Sequence, residues 1–414
     1  MGLYFYIRGE KMARLLILGN GIAAVSAAEA FRQHDSSTPI TIVSEEPHYA
    51  YYRLRLSKYL GENPSEEDML IHQPGWYAEN GIEVLLDRKA VSIDTVRCKV
   101  TLDDGSDIGY SSLLIATGSS PFKPPVPGCE LKGVFSIRTL DDVKNLYKYS
   151  KERNTGVVIG GGVLGLEAAW SLAKKGKKIY VVEGNPYILS KQLDEQASEI
   201  LKSLGEKAGI EFLLSNRLER VLGDTEARGI VLRDGRELKV DFVILSTGVK
   251  PNTGLLEGSG IAVARGIIVD EFMRTNLEGV YAAGDVAEYR GQVHGIWPMA
   301  REQGKTAGLN LAGIKTQYNE VVPSNYIKVF ETEIFSAGDL CKAGDAEAEI
   351  LDFSPEENIY RKIFFKGNRA VGVILLGDVK AGTRMARGIK SGRHLPDSLL
   401  KNTTFDEIIE KMEE

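Results

Sequence analysis

Short, almost wholly apolar runs recur along the chain, and each is closed by glycine or by an acid. Leu15-Leu16-Ile17-Leu18 runs into Gly19-Asn20-Gly21-Ile22-Ala23-Ala24 and then into a helical pattern. Gly156-Val157-Val158-Ile159 runs into Gly160-Gly161-Gly162-Val163-Leu164-Gly165 in the same way. An unbroken apolar run of this length, next to a helix-like stretch, predicts a strand buried on both faces in a parallel sheet. A second run follows each cassette and ends in an acid: Ile40-Thr41-Ile42-Val43-Ser44-Glu45 and Ile179-Tyr180-Val181-Val182-Glu183. A third run ends in Thr-Gly: Leu113-Leu114-Ile115-Ala116-Thr117-Gly118 and Val243-Ile244-Leu245-Ser246-Thr247-Gly248. The same cassette is therefore present twice.

The remaining pattern divides the chain further. Pro121-Phe122-Lys123-Pro124-Pro125-Val126-Pro127-Gly128 is too rich in proline for a helix or a central strand and predicts a connector. Val249-Lys250-Pro251-Asn252 predicts another. Glu278-Gly279-Val280-Tyr281-Ala282-Ala283-Gly284-Asp285 predicts a further buried strand that returns the chain to the first fold. Past Tyr318 the period changes to alternating strands, such as Asn358 to Phe365 and Ala370 to Leu376, which predicts a smaller domain. The tail from Thr404 to Met412 has apolar residues at helical spacing, with Thr404 and Glu407 set for a capping box.

Each cassette has a specific physical purpose. The first glycine makes the tight turn after the strand, the second lets backbone approach a pyrophosphate, and the third small residue allows close helix–strand packing. Phosphates then sit on free N–H groups at the helix N-terminus. Glu45 lies 26 positions after Gly19 and Glu183 23 after Gly160, the range in which an acid reaches a ribose 2′-hydroxyl. Two such sites on one chain imply two dinucleotides that exchange electrons. Glu183 favours NADH over NADPH, because a carboxylate accepts from a hydroxyl and repels a phosphate, and Gly184-Asn185 supplies no arginine.

Composition narrows the class. The 414 residues are enough for two or three domains, and 43% hydrophobic with 26% charged residues fits an ordinary globular protein. A net charge of −6 argues against nucleic-acid binding. The three cysteines, Cys98, Cys129 and Cys341, have no metal, haem or Cys-x-x-Cys spacing, so no metal site and a reducing, cytoplasmic setting are expected. No stretch has the length of a membrane span. Residues 1–11 lack the apolar core and cleavage site of a signal peptide, and Met12 is an alternative start.

With both cassettes, both Thr-Gly returns and the Gly-Asp strand in order, the chain resembles the two-dinucleotide-binding flavoproteins, the pyridine nucleotide–disulfide oxidoreductases. Within that family it is similar to rubredoxin reductases and to the flavoprotein regions of nitrite and ferredoxin reductases. The resemblance implies an α/β fold: two Rossmann-like dinucleotide-binding domains, for FAD and NAD, plus a small C-terminal α+β domain. The expected division is an FAD-binding domain at 1–118, an NAD-binding domain at 119–250, the second part of the FAD domain at 251–320, and a C-terminal interface domain at 321–414.

The site residues implied by resemblance follow position by position. Gly19, Gly21 and Ala24 match the FAD pyrophosphate turn, Glu45 the adenosine ribose acid, and Ala116, Thr117 and Gly118 the return strand. Gly284 and Asp285 match the FAD ribityl site, and Trp297, ahead of Pro298, the helix start at the flavin. Gly160, Gly162 and Gly165 match the NAD turn, with Glu183, Gly248 and, near the nicotinamide, Glu167. Arg53 is expected to pair with FAD phosphates.

One departure stands out. Disulfide reductases of the family place cysteines beside the flavin, but no cysteine precedes Cys98. The corresponding stretch reads Arg53-Leu54-Arg55-Leu56-Ser57-Lys58, with Lys58 about where relatives place a cysteine and expected to meet the flavin. Electrons would then pass from FAD directly to an acceptor. The expected activity is NADH-dependent reduction of a small acidic electron carrier, rubredoxin first or a ferredoxin-like protein. The alternatives are an NADH oxidase, a nitrite reductase flavoprotein component, or a flavoprotein that senses NADH and regulates a protein interaction. A monomer or homodimer is expected. Residues 380–394 contain five Lys or Arg side chains and no acid, a candidate docking patch or dimer contact.

Overall fold

The computed structural model describes residues 13–62, 65–341, 345–396 and 403–413. The segment 1–11 and Met12 lie outside them. The chain forms two compact units, one drawn from Met1–Arg55, Pro64–Ser120 and Val249–Val321, the other from Leu56–Asn63, Pro121–Gly248 and Val322–Glu414. This grouping differs from the expected division in two ways: Leu56–Asn63 falls in the second unit, and the expected C-terminal domain is grouped there with the second nucleotide fold. The helix Leu56–Glu62 packs there on Val163–Ala173, with Gly61 against Ser171 and Tyr59 edge-on to Tyr147.

The first unit is built on a seven-stranded sheet. Ala13–Leu18 lies between Ile40–Val43 and Asp107–Ile115, parallel to both. Ile82–Leu85 extends one side, and Val280–Ala282 pairs parallel with the C-terminal half of Asp107–Ile115. This last pairing is the expected return of the chain. Leu15 to Leu18 and Leu113 to Ile115 are fully buried, because parallel strands are covered on both faces. One cover is the helix pair Ile22–Arg32 and Trp297–Leu311. They approach closely through small residues: a Cβ on Gly304 would stand 2.2 Å from the Ala23 carbonyl oxygen, and one on Gly308 2.2 Å from that of Ala27.

The second unit repeats the plan. Thr155–Ile159 lies parallel between Lys178–Val182 and Phe242–Leu245, and Ile210–Leu213 and Val134–Ser136 complete five strands. The duplication extends past the motifs. In each copy an antiparallel excursion precedes the Thr-Gly return: Ala90–Asp94 and Lys99–Leu102 in the first, Leu218–Leu222, Gly229–Leu232 and Glu237–Lys239 in the second.

The C-terminal part of this unit is a five-stranded antiparallel sheet that includes Ile359–Lys366 and Arg369–Leu376, close to the strands expected. The helices Gly382–Ser391 and Phe405–Glu413 pack on it around Phe365, Val373, Met385 and Ile408. Thr404 and Glu407 form the expected capping box. Among the described residues no helix is long and apolar enough to cross a membrane.

Candidate functional site

In the first unit, Gly19 turns the chain with φ +102°, and a Cβ there would lie 2.2 Å from the Ala116 carbonyl oxygen. The return strand is thus the floor of the turn, and only glycine fits. Gly21 caps the helix Ile22–Arg32 without a side-chain hydrogen bond, and nothing lies within 4 Å of its Cβ position. This leaves open space in front of unsatisfied N–H groups, which is what a pyrophosphate needs. Ala24 is fully buried in the helix–strand contact. Thr117 and Gly118 are tied to Asn252, which donates from Nδ2 to the Thr117 carbonyl (2.9 Å) and from its N–H to the Gly118 carbonyl (3.0 Å).

Asp285 accepts from Ser119 Oγ at 2.8 Å, and the Gly284 N–H donates to Gln303 Oε1 at 2.9 Å. Arg53 pairs with Glu46 and donates to Tyr51 Oη at 3.0 Å. Burial works against its charge, but Tyr51, Glu46 and Asp285 outweigh it and raise its pKa. Glu46, unlike its neighbour Glu45, belongs to this interior cluster. Glu45 is exposed and paired with Lys89 at 2.7 Å. Trp297 opens the helix Trp297–Leu311, with Pro298 in its first turn and no side-chain cap. Its ring stacks on Tyr52 at 6.1 Å, and Arg301 lies over its face.

The second unit builds the same cradle. Gly160 has φ +114°, and its Cβ would stand 2.2 Å from the Ser246 carbonyl oxygen. A Cβ on Gly165 would stand 2.2 Å from the Gly160 carbonyl oxygen, so the helix meets the turn at contact distance. Gly162 caps Val163–Ala173 with no side-chain bond and open space within 4 Å. Gly248 also has positive φ, +99°, at the end of the return strand. Glu183 reaches this loop: its Oε2 accepts from the Gly161 N–H at 2.7 Å, and its Oε1 from the Asn185 N–H and Nδ2 at 2.8 Å each.

Lys58, expected in the first fold, lies instead in the second unit, exposed on its helix beside Glu167. Glu167 accepts from Ser57 Oγ at 2.7 Å. Desolvation pushes the Glu167 carboxyl above the usual range, against the Ser57 hydrogen bond and the Lys58 charge. The folded state therefore holds this proton more tightly than the unfolded chain. That stabilisation is complete below the ordinary carboxylate range and is lost as pH rises through the raised value. Glu167→Gln removes the titration. Its melting temperature relative to wild type should accordingly rise as pH is raised from the ordinary carboxylate range through the Glu167 titration. A difference independent of pH would show that the carboxylate bears no desolvation strain.

Sequence reasoning missed Glu46, Ser57, Ser119, Tyr52 and Gln303. Ser57 had a signal in its place directly before Lys58; the others are brought in by tertiary packing.

These paired cradles agree with the comparisons with known proteins. Residues 13–304 match the model of the pyridine nucleotide-disulphide oxidoreductases, and the chain belongs to that family. Residues 323–393 match the rubredoxin NAD+ reductase C-terminal domain. The chain is 33% identical to the NADH-rubredoxin oxidoreductase of Clostridium acetobutylicum, over 95% of this chain and 100% of that protein. The crystal structure of NADH:rubredoxin oxidoreductase from that organism superimposes with a TM-score of 0.80 at 31% identity, covering 97% of this chain and 100% of the other. The chain is also 37% identical to a nitrite reductase [NAD(P)H] of Bacillus subtilis, over 90% of this chain and 46% of that protein. It thus spans about half the length of this relative.

Proposed function

We propose that the protein is an NADH-dependent FAD flavoprotein reductase that passes electrons to a small redox protein, rubredoxin first, without a redox-active cysteine. The observation behind this is the repeated cradle: two uncapped helix N-termini, Gly21 and Gly162, each open in front and floored by a return strand. The relatives named as rubredoxin reductases support the choice of acceptor. When bound, FAD would supply hydride acceptance from NADH and single-electron release to an iron centre. In the first unit the Gly21 helix start holds its pyrophosphate, and Arg53 and Asp285 are the charged groups for phosphate and ribityl chain. In the second, the Gly162 helix start holds the NADH pyrophosphate and Glu183 takes the ribose hydroxyl. Glu167, positioned by Ser57, and Lys58 are the polar groups for the reacting end. A second reading, the flavoprotein part of a nitrite reductase, is favoured by the Bacillus relative.

The test is NADH consumption with oxygen alone, with rubredoxin, and with neither. Rubredoxin should accelerate it strongly at low salt. In the helix Gly382–Ser391, Arg384 and Arg387 are exposed on one face, and Lys390 is exposed beside them. If this patch steers an acidic carrier, Arg384→Glu with Arg387→Glu should raise the carrier's KM about tenfold at low ionic strength, and the effect should fade with salt. A KM indifferent to both would remove the patch from the docking surface. No acceleration by rubredoxin would favour the second reading.

A further inference from the structure

We propose that Arg217 is a second determinant of nucleotide choice, placed to receive a 2′-phosphate, so that the site takes NADPH as well as NADH. This rests on the second cradle being the NAD site. There the acid closing the second strand, Glu183, marks where the adenosine 2′ position lies. The next residue is Gly184, and the Arg217 stem lies directly across it. A Cβ on Gly184 would stand 3.2 Å from Arg217 Nε and 3.6 Å from its Cγ. A side chain at 184 would crowd the Arg217 stem, so glycine there leaves the arginine room beside the residue that follows the ribose acid.

The loop that bears Arg217 is held in register with the acid's loop. The Asn216 N–H donates to the Glu183 carbonyl at 2.9 Å, and the Ser215 N–H to the Asn185 carbonyl at 3.0 Å. Asn216 Oδ1 then accepts from the Arg217 N–H at 2.9 Å. Ser215 takes a positive φ of +53° to make this turn. The guanidinium is exposed, and among the described residues it has no acidic partner. Arg236 nearby is by contrast paired with Asp234 at 2.6 Å.

Glu183 and Arg217 thus flank Gly184, and among the described residues no ion pair joins them. The Glu183 oxygens already accept three N–H bonds from Gly161 and Asn185, which offset part of the charge a 2′-phosphate would meet. A guanidinium offers that phosphate two parallel donors, a geometry that lysine lacks. The carboxylate still serves a free 2′-hydroxyl, so NADH remains a substrate.

Calorimetric titration of the FAD-loaded protein with 2′,5′-ADP and with 5′-AMP separates the two groups without turnover. The wild type should bind both. Arg217→Gln should lower the affinity for 2′,5′-ADP relative to 5′-AMP about tenfold, Arg217→Lys by less, and Glu183→Gln should shift the ratio the other way. The kcat/KM ratio of NADPH to NADH should follow in the same directions. If 2′,5′-ADP fails to bind the wild type, or binds Arg217→Gln in the wild-type ratio while Glu183→Gln alters it, the role of Arg217 is overturned and the cradle assignment stands. If neither substitution moves either ligand, yet NADH still reduces the flavin, the second cradle is not the NAD site.

Discussion

Gly162→Asp should abolish reduction by NADH while making the protein slightly more stable. Gly162 is the N-cap of the helix Val163–Ala173, with extended backbone at φ −81°, and nothing stands within 4 Å of its Cβ position. The substitution therefore meets no steric obstacle. Aspartate is a strong N-cap and would bond the free N–H groups itself, worth roughly a few tenths of a kcal/mol over glycine. Those same donors are the ones proposed for the NADH pyrophosphate. The carboxylate would occupy them and add like-charge repulsion, so NADH affinity should fall more than about 100-fold, or roughly 2.7 kcal/mol. Rapid mixing under anaerobic conditions reads the flavin reduction rate against NADH concentration, and the flavin absorbance confirms that FAD is retained. Wild-type NADH dependence in this variant would sink the assignment of the second cradle.

Gly304→Val should have the largest effect on stability. Its Cβ would stand 2.2 Å from the Ala23 carbonyl oxygen and 2.8 Å from the Ala23 Cα, both rigid backbone. The helices Ile22–Arg32 and Trp297–Leu311 would have to separate. Overpacking of a close backbone contact costs about 3 kcal/mol or more. The helix displaced is the one whose N-terminus forms the first cradle, so FAD should be lost with stability. Lys305→Ala, one residue on and exposed, should stay within about 0.5 kcal/mol of wild type. Thermal unfolding with measurement of released FAD compares them; a Gly304→Val protein that melts with the wild type and keeps its flavin would show that the helix pair is not the constraint.

Both cradles were legible because their requirements are local. A positive-φ turn, an open N-cap and a small third residue leave a mark within a few positions, and Gly19, Gly21, Gly160, Gly162 and Gly165 bear it. The return strands were legible too, since a buried parallel strand is apolar throughout. What escaped depends on contacts between distant segments. Glu45 and Glu46 look equivalent in sequence, and only packing turns Glu46 toward Arg53. The helix Leu56–Glu62 has an ordinary amphipathic pattern, and its grouping with the second unit follows from fitting Gly61 and Tyr59 against Ser171 and Tyr147. Arg217 escaped because a search for a 2′-phosphate ligand looks in the loop after the acid. The candidate comes from the loop after the neighbouring strand.

The two nucleotide folds also differ in how their chain is ordered, and this bears on biosynthesis. The second sheet, Val134 to Leu245, is one uninterrupted stretch. The first sheet is completed only by Val280–Ala282, and its covering helix only by Trp297–Leu311. As the polypeptide leaves the ribosome, the strands made first must wait, partly uncovered, while the whole of the later-made fold emerges and closes. The glycine turn at Gly19 already has its floor at Ala116, but the helix above it lacks its partner until residue 311 is outside. Nascent chains stalled before that point would expose the apolar face of Ile22–Arg32, a surface for chaperones to cover until synthesis reaches its partner.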